Sequence, residues 1–227
     1  MNMLRAKWWL MIPAALVVSC GGPIQEAELH GYVDGKMQAK YITRVFKAKL
    51  DDGSPGYRIE TVFTFAVGNA RRVENANVSL VREDMTLVES ESKFDNNGEK
   101  NGMVTKVGKT EINQIQRSDK QIKDAEKNMG INERVFHLHP LLYIRDLTEP
   151  GQEKVYRTLN EGRFVLQDIK VIYKGEETLN QDGRTFQSRH YMVENSSEPG
   201  AYQDYYVDAS GKPLKIIYSV IEFRFHK

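Results

Sequence analysis

The chain of 227 residues holds one cysteine, Cys20, so no disulfide can form within it. In an oxidising compartment its stability must come from its packed core. An excess of charge of one sign is also missing. Lys and Arg number 32 against 31 Asp and Glu, and without residues 1–19, which hold Arg5 and Lys7, the balance is 30 against 31. Such a chain lacks the positive field that sequence-independent phosphate binding requires, which excludes nucleic acid as an expected partner. No Gly-x-x-x-x-Gly-Lys-Ser/Thr phosphate loop, Gly-x-Ser-x-Gly elbow, His-Glu-x-x-His, Cys-x-x-Cys or EF-hand spacing occurs. The sequence therefore assigns no catalytic residue, no cofactor and no metal, and a non-enzymatic protein is expected. What is present, 40% hydrophobic and 28% charged residues, is the composition of a folded, water-compatible body. No composition shift or linker divides it, so one domain is expected.

One long apolar run stands at the start. Met1 to Lys7 carry two positive charges, and Trp8 to Val18 follow without a polar residue, interrupted only by Pro13. These are the n-region and h-region of a secretory signal. Eleven helical residues reach ~16 Å, about half of a ~30 Å hydrocarbon core, which favours a removable signal over a membrane span. Val17-Val18-Ser19-Cys20-Gly21-Gly22 then resembles the bacterial lipoprotein lipobox. A small residue at Ser19 gives a peptidase access to the bond before Cys20, and the thiol can carry a thioether-linked diacylglycerol. The resemblance implies that Cys20 is the lipid-attachment residue, its freed amine being acylated as well. Two or three acyl chains anchor stably where one would be marginal. Gly21 in place of Asp resembles the pattern sorted onward to a Gram-negative outer membrane, facing the periplasm. The expected organisation is a signal over 1–19, a lipidated tether over 20–28 and one β-rich domain over 29–227. The seven residues from Gly21 to Ala27 extend at most ~25 Å, which keeps the body near the lipid surface.

From Tyr32 onward the pattern is that of strands, with runs of Val, Ile, Thr, Tyr and Phe separated by turn residues. Gln38–Leu50 and Tyr57–Val67 flank the loop 51–56. Tyr57, Ile59, Thr61, Phe63, Phe65 and Val67 share one face, with Arg58, Glu60 and Thr64 on the other. Thr86–Phe94 meets Gly102–Ile115 across 95–98, Gly162–Leu179 meets Arg184–Val193 across 180–183, and Ala201–Val207 meets Leu214–Phe225 across 208–211. Each loop closes on Gly after an Asx or Ser residue, as a turn ending at positive φ requires. Serial hairpins predict an antiparallel meander. The last run, apolar on both parities, predicts a strand covered on both sides by a curved sheet or half-barrel. The fold class is thus mainly β, with one or two short helices.

Two segments break the strand pattern. Ser118-Asp119-Lys120-Gln121 matches a capping box, Ile122, Ala125 and Met129 form a stripe, and Gly130 follows, so a surface connector helix is predicted over Asp119–Met129. A shorter helix is predicted from Pro140, with Leu141, Ile144 and Leu147 inward. Just before it, His137 and His139 would project to one face of an extended segment, their Cα atoms roughly 6 to 7 Å apart. Two imidazoles so placed can share a metal if the fold adds His190, Asp168 or Glu194; this is the alternative reading of a metal-dependent envelope enzyme. The plainer reading has one histidine capping the Pro140 helix and the other partly buried. Tyr191, Tyr202, Tyr205, Tyr206 and Tyr218 suit cross-strand packing or a cleft wall. Arg71, Arg72, Lys120, Lys123 and Lys127 alternate with acids and read as solvated faces.

The run of long strands, the central insert, Gly183-Arg184-Thr185-Phe186 to Tyr191, and Tyr205-Tyr206-Val207-Asp208-Ala209-Ser210-Gly211-Lys212-Pro213-Leu214 resemble bacterial envelope proteins with a curved antiparallel sheet. The closing hairpin is also similar to that of the LolA/LolB lipoprotein carriers. That resemblance implies a half-barrel able to hold acyl chains; its motifs are turns and carry over no ligand-binding position. The expected partners are the membrane, through the lipid, and an apolar ligand or a protein. Cys20→Ser should abolish both lipid labelling and partitioning into the detergent phase; retention of either contradicts the lipobox reading.

Overall fold

The computed structural model describes residues 21–67, 71–120, 124–195, 200–219 and 221–226. Residues 1–19, expected to be a signal, and Cys20 lie outside the described residues. The strands are β1 (Gln25–Val33), β2 (Lys36–Lys49), β3 (Pro55–Val67), β4 (Arg71–Arg82), β5 (Leu87–Asn96), β6 (Glu99–Val107), β7 (Glu111–Ser118) and β8 (Ala125–Gly130). After α1 (Pro140–Asp146) come β9 (Glu153–Asn160), β10 (Val165–Gln181), β11 (Arg184–Asn195), β12 (Tyr202–Val207), β13 (Pro213–Tyr218) and β14 (Ile221–His226). All fourteen belong to one antiparallel sheet of order β8-β7-β6-β5-β4-β3-β2-β1-β14-β13-β12-β11-β10-β9. The chain starts at the centre of the sheet and walks out to β8. It then crosses to the opposite edge at β9 and returns, so that β14 pairs with β1.

Turn chemistry drives this meander. Asp34-Gly35, Asn97-Gly98 and Asp182-Gly183 each hold both residues at positive φ, the geometry whose twist matches a two-residue hairpin. The predicted mainly β fold, a single curved sheet not closed into a barrel, is what forms. Its edge strands β8 and β9 do not pair with each other. The crossing segment is stitched between distant strands instead: Leu87 N donates to Val135 O (2.8 Å), His137 N to Met85 O (2.9 Å) and Phe136 N to Arg157 O (2.8 Å).

The concave face carries the core. Val45, Ile59, Val81, Leu87, Tyr156, Val171, Tyr173, Tyr191 and Val207 point into it, and α1 lies against them through Leu142 and Tyr143. The Tyr143 ring centroid is 5.8 Å from that of Tyr191 and 5.9 Å from that of Tyr205, and Tyr173 stacks on Tyr191 at 4.8 Å. The helix thus plugs one part of the half-barrel. It begins at Pro140 as predicted. Its buried residues are Pro140, Leu142 and Tyr143, and Leu147 just after it is buried too, whereas Leu141 and Ile144, expected inward, are only partly buried against the same cluster.

Four expectations are corrected. Where a helix is predicted over Asp119–Met129, residues 121–123, Ile122 among them, lie outside the described residues, and Ala125–Gly130 form β8 instead, pairing with β7 from Gln116 with Ala125 to Glu111 with Gly130. A ready edge with open hydrogen-bonding groups outweighs a three-residue apolar stripe, and alternate residues Ala125, Lys127 and Met129 are half-buried in strand fashion. Gly102–Ile115 is two strands, β6 and β7, because the chain turns at residues 108–110, where Gly108 N donates to Glu111 O at 2.8 Å. The final run is likewise a hairpin, β13 and β14, with Ser219 at φ 54° beside its tip. That turn resets the parity, so apolar residues on both parities collect on one face; Ile216 lies opposite Phe223. Finally, the segment 20–28 expected as a tether overlaps the sheet, because β1 already starts at Gln25 and Ile24 N bonds Val45 O. Among the described residues no helix is long and apolar enough to cross a membrane.

Because Leu142 is fully buried between the helix and the sheet, Leu142→Ala should lower unfolding stability by about 2–5 kcal/mol, read from urea denaturation.

Candidate functional site

Beyond the part filled by α1, the concave face continues over the junction of β1 with β14 and stays open. There a groove of about 260 Å³ is lined by side chains from five strands. Tyr41 on β2 and Phe63 on β3 are cross-strand partners and form one wall. Phe223 and Ile216, partners across β14 and β13, lie at the base. The Phe223 ring meets Tyr41 edge-on at 6.4 Å and Phe63 at 6.0 Å, tilted by 58°. Tyr205 separates the groove from the helix plug, touching Tyr143 on one side and lining the groove on the other. Gln203, Tyr218 and Ile221 complete the rim beside the β13–β14 turn. The flanking cluster of Leu29, Ala39, Ile216 and Phe223 is buried.

No lining residue is charged. Burial pushes the Tyr41 hydroxyl up to about 12 and raises that of Tyr205 well above its ordinary range, so both stay neutral hydrogen-bonding groups. The Tyr205 hydroxyl donates to Gln203 Oε1 at 3.0 Å. That bond fixes the amide with its acceptor occupied, leaving its NH₂ group as the donor it can present to a guest. The site is chemically an aromatic-walled, uncharged slot with a few phenol and amide groups at its rim.

The tyrosines singled out from sequence divide between packing and this cleft. Tyr191 is core, Tyr205 and Tyr218 line the groove, Tyr202 is exposed, and Tyr206 lies on the opposite face of the sheet. There Tyr206 stacks at 4.3 Å on His190, whose ring nitrogens each face a carboxylate at 2.7 Å, Glu177 at Nδ1 and Asp204 at Nε2. Tyr41, Phe63, Gln203 and Phe223 line the groove without any local sequence signal that marks them. The parity of β3 placed Phe63 on a face, but which strands face it depends on the β1–β14 pairing, which has no local signal.

His137 and His139 follow the plainer of their two readings. His139 is the N-cap of α1, extended at φ −149° and ψ 148°, and its Nδ1 accepts from Leu141 N at 3.2 Å. His137 is half-buried beside it. The proposed further ligands are engaged elsewhere: His190 as above, Asp168 with Arg157 (2.9 Å) and Glu194 with Lys170 (3.2 Å). Among the described residues no three His, Cys, Asp or Glu side chains are placed to hold a metal ion. Of the basic residues, Lys120 pairs with Glu99 (2.8 Å) and Arg72 with Glu74 (2.7 Å) on solvated faces.

No family model and no curated protein matches the chain. Among solved structures it is similar to a β-barrel-like protein of domain of unknown function DUF1849 from Brucella abortus. The TM-score is 0.55 at 9% identity, over 91% of this chain and 96% of that one. A DUF1089 family protein from Pseudomonas aeruginosa matches at TM-score 0.43 and 13% identity, over 81% of this chain and 90% of that one. The first likeness supports the fold alone.

Burial lowers the pKa of His137 to about 4 and of His139 to about 3, the latter helped by its neighbour His137. The unfolded chain takes up these protons below about pH 6.5, whereas the folded chain resists until lower pH. This contribution to stability is therefore intact above that value and is lost as pH falls toward 4. His139→Asn keeps a capping acceptor and removes one titrating group. Its urea midpoint should fall less than the wild-type midpoint between about pH 7 and 4.5; parallel declines would refute the assignment.

Proposed function

We propose that the protein is a lipid-anchored, non-enzymatic component of a bacterial envelope, attached through Cys20, whose half-barrel takes an uncharged apolar or amphiphilic ligand into the groove beside Phe223. The observation that carries this reading is the groove itself, a concave aromatic slot without a charged lining residue. Apolar concavities with few convergent polar groups are where small ligands bind. A guest bearing a full charge would lose hydration there with no opposite charge to replace it.

The direction of β1 supports the combination. Its first residue, Gln25, donates to Ser210 O at 3.1 Å at the end where the 208–211 loop meets α1. Six residues later, about 20 Å along the strand, Gly31 lies beside Phe223 at the groove. The amino-terminal tether and the groove thus occupy opposite ends of the half-barrel. A body held at Cys20 would present its groove away from the lipid surface, toward the periplasm in an outer-membrane setting.

The chain from Cys20 onward should enhance the fluorescence of the neutral probe N-phenylnaphthylamine and release apolar material on solvent extraction. Phe63→Asp, which puts a carboxylate in the wall, should weaken probe binding by at least about tenfold. A wild-type body that neither binds the probe nor carries extractable lipid would refute the reading; a stoichiometric co-purifying protein would favour a partner-binding role.

A further inference from the structure

We propose that Gly31 sets the depth of the groove and so the size of the apolar guest that it accepts; this rests on the groove being a ligand site. Gly31 is the seventh of the nine residues of β1, opposite Phe223 on β14 and Ala39 on β2. A register shift in the β1–β2 pairing falls between it and Tyr32, but its φ is not positive, so a left-handed backbone gives no reason for a glycine. Space does. A Cβ on Gly31 would lie 2.7 Å from Phe223 Cε1, 3.0 Å from Phe223 Cδ1 and 2.8 Å from the Ala39 Cβ. Carbon atoms in favourable contact are roughly 3.5 to 4.0 Å apart. The Cδ1–Cε1 edge of the Phe223 ring therefore occupies the space of the missing side chain, and this lets the ring form the base of the groove.

A methyl group at position 31 has few ways to be absorbed. Ala39 sits on β2, fixed by backbone pairing on both sides, and Leu29 fills the core next to it with no exposure. The Phe223 ring is the part that can rotate, and the space open to it is the groove, on the side of Tyr41 and Phe63. Glycine inside a strand is otherwise unfavourable, since it gives up side-chain packing and backbone entropy. Its place under the groove's base is explained by the room it leaves above it.

The test uses the chain from Cys20 onward, which contains every strand described above, with N-phenylnaphthylamine as the probe. Gly31→Ala should bind it at least roughly tenfold more weakly than the wild type. Phe223→Leu, which shortens the displaced group, should restore binding in the Gly31→Ala background to within about threefold of Phe223→Leu alone. Equal affinity of Gly31→Ala and wild type overturns the proposal, as does a folded double variant that binds no better than Gly31→Ala. If Gly31→Ala fails to fold, the double variant decides: folding with probe binding supports the proposal, and failure of either overturns it. A wild-type chain that does not bind the probe overturns the groove reading itself, and this assignment with it.

Discussion

The pairing of the first strand with the last is the constraint on which the rest of the structure depends. Strands β1 to β8 form one meander and β9 to β14 another, and within the sheet they are joined where Glu28–Tyr32 pair with Glu222–His226. These partners are almost the whole chain apart, so the ordering entropy of everything between them opposes their meeting. Both faces of the junction contribute to holding it. Inside, Leu29 and Phe223 are core residues with Phe225 packed against them. Outside, His30 stacks on His226 at 3.9 Å, and Arg224 lies over the Tyr32 ring at 5.3 Å.

A sheet of this width curls because neighbouring strands twist, and it must then either close on itself or fill its concavity. Here it does part of each. The crossing segment lies between the start of β5 and β9 and stands in for a direct edge pairing, while α1 drops into the space beneath. The helix is only seven residues long, too short to be stable alone. Packing against the sheet, Pro140 in its first turn and the His139 cap together account for it. Because the helix is short, it fills one end of the concavity only. The groove is the remainder, and Tyr205, touching both, marks the boundary.

Most of the sheet was legible in the sequence because hairpins announce themselves locally. Asx-Gly turns need positive φ, and the alternation along β3 follows from the pleat, so neither depends on distant residues. The structure departs from the expectation where no run is predicted, as over β1, β4 and β9, and where a local pattern has two solutions. Ala125 and Met129 suit a helix stripe as well as one face of β8, and the edge of β7 decided between them. Ile216, Ile217, Ile221 and Phe223 looked like one doubly apolar strand until the turn beside Ser219 separated them. The groove was less legible still. Tyr41, Phe63, Tyr205 and Phe223 come from four strands in both halves of the chain, and their meeting is a property of the β1–β14 register. The histidine pair was accessible to simple reasoning, since a polar residue just before Pro140 is where a helix needs an acceptor.

Electrostatics divides the molecule in a way that bears on selectivity. The outer face carries many ion pairs, among them Arg44–Glu26 and Lys40–Glu28 at 2.7 Å, but pairs with this much solvent access contribute little to stability. With basic and acidic residues nearly equal beyond residue 19, the body has no bulk attraction to an anionic lipid surface. The groove has no charge to offer either. Apolar contact alone discriminates poorly between guests that differ by a carbon atom or two. A slot of this kind would therefore have to select through its shape and the few phenol and amide groups at its rim, and on our proposal that shape is set where Phe223 rests on the one residue of β1 that has no side chain.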